Sequence, residues 1–374
     1  MNHSENIYLD HAATTPVRAE VFEAMRPFLT DHFGNAGSLH RFGRGAKKAV
    51  ENARGQVASL IGVDPRDLIF TSGGTEANNL AVQGLSAKGA RIIVSAVEHH
   101  AVLHAAEIAK KRFDTEVITI PVDSDGQVNV DQCITFLDDN QTALVSVMHG
   151  NNETGTIQPV EQIGAICRER GIPLHTDAVQ SAGKIPIDIA RTPIDLVSLS
   201  AHKIYGPKGV GALYVRRDIH LEGQIAGGSQ ERGRRAGTEN VASIVGFGSA
   251  CELAQREMQS ESHRLRGLLD QMEKSVLETV PGSWVNGSRD RRLPHILNIG
   301  FPGVEGVTVM LGLDDQGIAV ATGSACTSGS VDASHVLLAM GQDHTHAHSG
   351  VRFSLGRDTG VEVIQRLCEA LSRL

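Results

Sequence analysis

Through the middle of the chain, short β-rich runs alternate with longer segments whose apolar positions recur every three or four residues. The runs Asp67–Thr71, Ala90–Ser95, Glu116–Pro121, Ala143–Met148, Pro173–Thr176, Asp195–Leu199 and Val210–Val215 are rich in Val, Ile or Leu. They are too short for buried helices and predict strands. Between them, Val160–Arg170 places Val160, Ile163 and Ile166 on one helical face. The alternation predicts an α/β fold, a mostly parallel seven-stranded sheet with helices on both faces.

Upstream, Thr15-Pro16 predicts an N-cap with proline at the first helical position, ahead of Val17, Val21, Ala24 and Phe28 at helical spacing. Ser38 is expected to cap a second helix whose stripe includes Ala46, Val50, Ala53, Val57 and Leu60, with Gly62 as its stop. From about Thr238 to Val280 the pattern stays helical, with Thr238 as cap and Pro281-Gly282 as stop. This long segment is read as a bridge into a smaller α+β domain with strands at His295–Gly300 and Val351–Leu355 and a last helix from Val361. The expected division is 16–254 for a large domain, with 1–15 and 255–374 forming the small one.

Composition narrows the function classes. A formal net charge of −8 without a concentrated Lys/Arg run argues against direct nucleic-acid binding. No apolar stretch approaches the ~20 residues that span a bilayer. Met1 to Leu9 lack the basic and apolar regions of a signal peptide. The five cysteines, Cys133, Cys167, Cys251, Cys326 and Cys368, are odd in number and widely spaced, which fits a reducing, cytoplasmic setting better than a disulfide framework.

Three strand ends carry candidate chemistry. Lys203 follows a predicted strand within Ser200-Ala201-His202-Lys203, where a lysine of lowered pKa can bond a carbonyl carbon. Asp177 ends another, where a carboxylate can hold a pyridinium nitrogen. Thr71-Ser72-Gly73-Gly74-Thr75-Glu76 links a strand to a helix, the setting of a phosphate site. Singly, each has a bland alternative: a loop lysine, a helix-capping aspartate, an ordinary turn. Together in one sheet they are a much stronger signal than any one of them alone. Cys326 lies in Thr322-Gly323-Ser324-Ala325-Cys326-Thr327-Ser328-Gly329-Ser330, a composition of loops, whereas the other four cysteines lie in apolar helical patterns.

Further motifs follow in order: Tyr8-Leu9-Asp10-His11-Ala12-Ala13-Thr14-Thr15-Pro16, Glu98-His99, Asn151-Asn152-Glu153-Thr154-Gly155, His175-Thr176-Asp177-Ala178-Val179-Gln180, Arg235-Ala236-Gly237-Thr238-Glu239-Asn240 and Arg352-Phe353-Ser354. With these, nearly the whole chain resembles the cysteine desulfurases of the NifS and IscS type, fold-type I pyridoxal-phosphate enzymes of the class-V aminotransferase family. The resemblance implies that Lys203 bonds the cofactor, Asp177 holds its ring nitrogen, and Gln180 and Asn152 lie near its phenolic oxygen. It implies that His99 stacks on the ring and moves protons. Gly74, Thr75, Ser200 and His202 would hold the phosphate, joined by Thr238 from the second subunit of a homodimer. Arg352, assisted by Asn35, would bind the carboxylate of L-cysteine, and Cys326 would take its sulfur as a persulfide for a sulfur-acceptor protein, an iron–sulfur scaffold or a tRNA-thiolation enzyme. Asn35-Ala36 stands where the family commonly has Asn-Pro. The longer tail by which some members dock a scaffold protein is expected to be absent after Leu374.

His344, His346 and His348 would suit a metal only on an extended backbone, so a solvated loop and no metal are expected. Two alternatives stay open. An aminotransferase would share Lys203 and Asp177, need no loop cysteine and consume a keto acid. A catalytically silent sulfur carrier would use Cys326 alone and be colourless.

Overall fold

The structure, a computed structural model, describes residues 6–137, 141–323 and 332–374. The chain opens with β1 (Ile7–Tyr8), α1 (Ala19–Thr30) and α2 (Arg41–Ile61). It then alternates through β2 (Leu68–Thr71), α3 (Gly74–Gly84), β3 (Arg91–Ser95), α4 (His100–Phe113), β4 (Glu116–Ile120), α5 (Val130–Phe136), β5 (Thr142–Ser146), α6 (Val160–Glu169) and β6 (Leu174–Asp177). Next come β7 (Leu196–Ser200), β8 (Gly211–Val215) and the long α7 (Val241–Thr279). The remainder holds β9 (Trp284–Asn286), β10 (Ile296–Gly300), α8 (Gly306–Asp314), β11 (Ile318–Ala319), β12 (Ala321–Thr322), α9 (His335–Ala339), α10 (His344–His348), β13 (Gly350–Ser354) and α11 (Glu362–Leu371).

The seven predicted strands form one sheet in the order β2-β8-β7-β6-β5-β3-β4. All neighbours are parallel except where β8 runs antiparallel to both β2 and β7. The link from β7 to β8 is too short for the helical crossover that a parallel pair needs. Alternate residues of each strand enter opposite layers. Phe70, Ile93 and Val145 pack with α2, α5, α6 and α7, while Ile69, Ile92 and Leu144 pack with α3 and α4. Burial of both faces of the inner strands explains why they are rich in Val, Ile and Leu rather than alternating apolar with polar residues, while the edge strand β4 keeps Glu116 and Thr119 exposed.

A second core joins Leu9, Leu265, Leu269, Met272, Leu297, Phe353 and Leu367. It lies against an antiparallel sheet in the order β12-β13-β10-β9. Helix α7 contributes Ile244 and Phe247 to the first core and Leu265 to Val276 to the second.

The helix starts differ from expectation. The first helix begins at Ala19, not after Thr15. Thr15 Oγ1 donates to the His202 carbonyl and accepts from Tyr205 N–H, each at 2.8 Å, so a tertiary anchor takes the hydroxyl that would have capped. His40 rather than Ser38 caps α2, accepting from Gly43 N–H, and Asn240 rather than Thr238 caps α7. Gly62 ends α2 as expected, at φ 70°. The three-histidine stretch is a short helix instead of a loop, because Asp343 accepts the His346 N–H and seats the first turn.

Candidate active site

The C-terminal ends of the central strands open onto two adjoining chambers. One, of about 240 Å³, is lined by Gly74, Thr75, Asn78, His99, Met148, Asn152, Asp177, Val179, Gln180, Ser200, His202 and Lys203. The other, of about 410 Å³, shares His99, Asn152, Gln180 and Lys203 with it and adds Asp10, Glu153, Gly323, His335 and Arg352. A larger cavity, of about 700 Å³ between the N-terminal strand and α11, contains none of the candidate site residues.

Nearly the whole expected cofactor set thus meets in the smaller chamber. Asp177, the last residue of β6, is buried and accepts from Asn78 Nδ2 at 2.6 Å and Val179 N–H at 2.9 Å. Both donors fix its carboxylate while leaving lone pairs for a further one. Lys203 Nζ donates to the Ala12 and Ala13 carbonyls at 2.6 and 2.7 Å. Burial, then the Arg352 charge, lowers its pKa to about 8 against the smaller pull of Asp10 and Asp177. His99 Nδ1 accepts from Ala101 N–H, capping α4, so the proton of the neutral ring sits on Nε2. Burial lowers the His202 pKa to about 4, with Lys203 and Lys208 adding to the effect. Gln180 Nε2 is held by the Ala12 carbonyl at 2.9 Å.

At the start of α3 the cradle has room for an anion. A Cβ on Gly74 would come within 2.7 Å of Val179 Cγ2, so only glycine lets the backbone line the chamber there. The Ser200 hydroxyl oxygen is buried without a partner among the described residues. With the amides at the N-terminus of an eleven-residue helix, these groups fit the phosphate of pyridoxal phosphate, as Asp177 fits its ring nitrogen and Lys203 its aldehyde.

Arg352, on β13, faces the second chamber and is 7% exposed. Its Nη1 donates to the Asn152 carbonyl at 2.9 Å and its Nη2 to Asp10 Oδ1 at 2.7 Å, while Nε is buried with no partner among the described residues. Asn35 and Thr238 lie in neither chamber; both are exposed, and Asn35 Oδ1 accepts from Gly37 N–H. Cys326 lies outside the described residues, although Thr322, Gly323 and His335 on either side of that segment line the second chamber. Cys133, Cys167 and Cys251 are buried, and burial pushes their thiols up to about 11, to about 12 and well above the usual value. Among the described residues, no group of three His, Cys, Asp or Glu side chains is arranged to hold a metal.

Sequence reasoning gave no role to Asn78 or Asp10. Asn78 carried a signal, a polar residue one turn beyond Gly74 on a face otherwise occupied by Ala77, Leu80 and Ala81.

The aminotransferase class-V family matches residues 7–367. A cysteine desulfurase IscS of Dictyoglomus turgidum is 47% identical over 98% of this chain and 94% of its own length. A cysteine desulfurase of Nostoc sp. is 45% identical over 98% and 92%. Among solved structures, a NifS-like protein superposes with a TM-score of 0.91 at 35% identity, covering 98% of each chain. SspA in complex with cysteine gives 0.82 at 35% identity over 93% of this chain and 98% of that one. The chain belongs to the class-V aminotransferase family, among its cysteine desulfurases. It has the fold-type I architecture and depends on pyridoxal phosphate.

Proposed function

We propose that the enzyme converts L-cysteine to L-alanine and collects the sulfur on Cys326 as a persulfide, which it hands to an acceptor protein. The observation that carries this reading is the pair of chambers meeting at Lys203, one fitted to the cofactor and the other lined by the Arg352 guanidinium.

Bound pyridoxal phosphate supplies an electron sink for the bonds around the substrate Cα. Asp177 keeps a proton on the ring nitrogen. Arg352 binds the substrate carboxylate through its guanidinium. Lys203 removes the Cα proton and returns it, a task suited to an amine whose pKa lies near working pH. His99 presents Nε2 for proton exchange at the chamber wall. The Cys326 thiolate attacks the substrate sulfur, the carbon–sulfur bond breaks, and protonation of the carbon left behind gives alanine. The raised pKa values of Cys133, Cys167 and Cys251 make those thiols poor substitutes.

On this reading residues 16–254 form the cofactor-binding domain, and 1–15 with 255–374 form the domain that carries Cys326. The acceptor is an iron–sulfur scaffold or a tRNA-thiolation enzyme in the cytoplasm. We also place Thr238 in the phosphate site of a second copy. Its exposed position supports this, as does the apolar surface of Leu29, Phe33, Leu39 and Phe42, exposed by 60, 73, 89 and 51% beside Asn35. A fully active monomer in analytical ultracentrifugation would refute the shared site.

The decisive experiment follows alanine release and the mass of the Cys326 peptide. Wild type forms alanine and a persulfide at that position. Cys326→Ala keeps the yellow cofactor and forms neither product. If it made alanine at the wild-type rate, the reading would be wrong.

A further inference from the structure

Four consecutive residues, Asp10 to Ala13, tie the two ends of the substrate site together. The Ala12 and Ala13 carbonyls hold Lys203 Nζ, and Asp10 Oδ1 holds Arg352 Nη2. The segment is fastened to the strand that carries Arg352: Ser354 N–H donates to the Leu9 carbonyl at 2.7 Å, and Ala12 N–H to Ser354 Oγ at 2.9 Å. One short stretch of backbone therefore spaces the lysine from the arginine, the two groups that meet the amine end and the carboxylate end of an amino acid.

Asp10 does more than space. Its side chain keeps about 20% of its surface exposed and lines the substrate chamber, so its charge faces whatever binds there. With Nη1 held by Asn152, Nη2 by Asp10 and Nε buried, Arg352 has few donor positions left over, enough for one carboxylate and not for two. Lys203 faces the amine end. A second anionic group on the substrate would then find Asp10 rather than a free cation, and like charges at close range in a half-buried chamber repel.

We infer that Asp10 is a specificity-determining residue, which holds Arg352 for a single carboxylate and rejects amino acids with an anionic side chain. The inference rests on the desulfurase reading proposed above.

Wild-type holoenzyme is compared with Asp10→Asn and Asp10→Glu. Alanine release is measured from L-cysteine and from L-cysteine sulfinate, whose side chain is anionic. Asp10→Asn should raise the sulfinate-to-cysteine ratio of kcat/KM by roughly tenfold, whereas Asp10→Glu, which keeps the charge, should stay within about threefold of wild type. Calorimetric binding of the matched pair L-aspartate and L-asparagine gives a readout independent of turnover. Wild type should favour asparagine by about tenfold, and Asp10→Asn should erase that preference. An unchanged sulfinate ratio and an unchanged aspartate discrimination in Asp10→Asn overturn the assignment. A wild type that released no alanine from L-cysteine would sink the desulfurase reading instead, and the aspartate–asparagine comparison would still judge Asp10.

Discussion

Asn78 donates its Nδ2 to Asp177 Oδ2 across 2.6 Å, and both side chains are buried. Helix α3, which opens at the proposed phosphate cradle, thereby also aims the carboxylate at the end of β6, so two of the contacts proposed for the cofactor depend on one helix.

Removing that donor should loosen the cofactor. A hydrogen bond to a charged group contributes about 1.5–3 kcal/mol, so Asn78→Ala should weaken pyridoxal-phosphate affinity by roughly tenfold to a hundredfold. Absorbance titration of the apoprotein measures it. Affinity equal to wild type would show that Asp177 is held well enough by Val179 N–H alone.

Lys203 should be the point of covalent attachment. Borohydride reduction of the holoenzyme should fix the cofactor on the peptide containing Lys203; finding it on Lys208 would overturn the assignment. In the apoprotein the amine has a pKa of about 8, lowered first by burial and then by Arg352. Its neutral, reactive form therefore appears as pH rises through 8, well below the ~10.4 of an ordinary lysine. Amine-selective labelling of Lys203 should follow that midpoint, and a midpoint above pH 10 would contradict it.

Arg352→Lys keeps a positive charge but loses Nε and the planar fork that reaches Asn152 and Asp10 together. Losing such a buried charge-assisted contact costs about 2 kcal/mol or more, roughly thirtyfold in the dissociation constant for L-cysteine. Spectral titration with L-cysteine reads the change. Unaltered binding in Arg352→Ala would remove Arg352 from the substrate site.

Lys184 offers a stability test away from the chemistry. It is 7% exposed, its Nζ lies 4.8 Å from the centre of the Tyr205 ring, and burial lowers its pKa to about 8. The folded value lies below the unfolded one, so the unfolded chain binds more protons between pH 8 and about 10.4, and stability rises with pH across that window. At pH 7 the charged amine is fully penalised. Lys184→Met should thus stabilise the protein at pH 7 by on the order of 2 to 3 kcal/mol, with the advantage shrinking towards pH 10. Denaturant unfolding at both pH values decides it; an advantage that grew with pH would reverse the sign of the argument.

The strands were legible because most of their positions are buried and filled by Val, Ile or Leu, in runs too short for a buried helix, and each of the seven predicted stretches became a strand. The helix stop at Gly62 was legible because a left-handed backbone there suits glycine. Helix starts were less so. Thr15 has the chemistry of a cap, yet its hydroxyl is claimed by His202 and Tyr205, nearly two hundred residues away. The histidine stretch was misread for the opposite reason: a cap one residue upstream, Asp343, made a helix of residues that looked solvated.

The same division runs through the site. By itself the sequence determined that Lys203, Asp177 and the Gly74 turn fall at strand ends, because strand period and glycine placement are properties of neighbouring residues. Only the tertiary structure decided that Asn78 meets Asp177, that Asp10 meets Arg352, and that Ala12 and Ala13 hold Lys203. Those partners are 99, 342 and about 190 residues apart. No local periodicity encodes such pairings; they follow from which strands lie side by side and how the second core seats the N-terminal segment against β13.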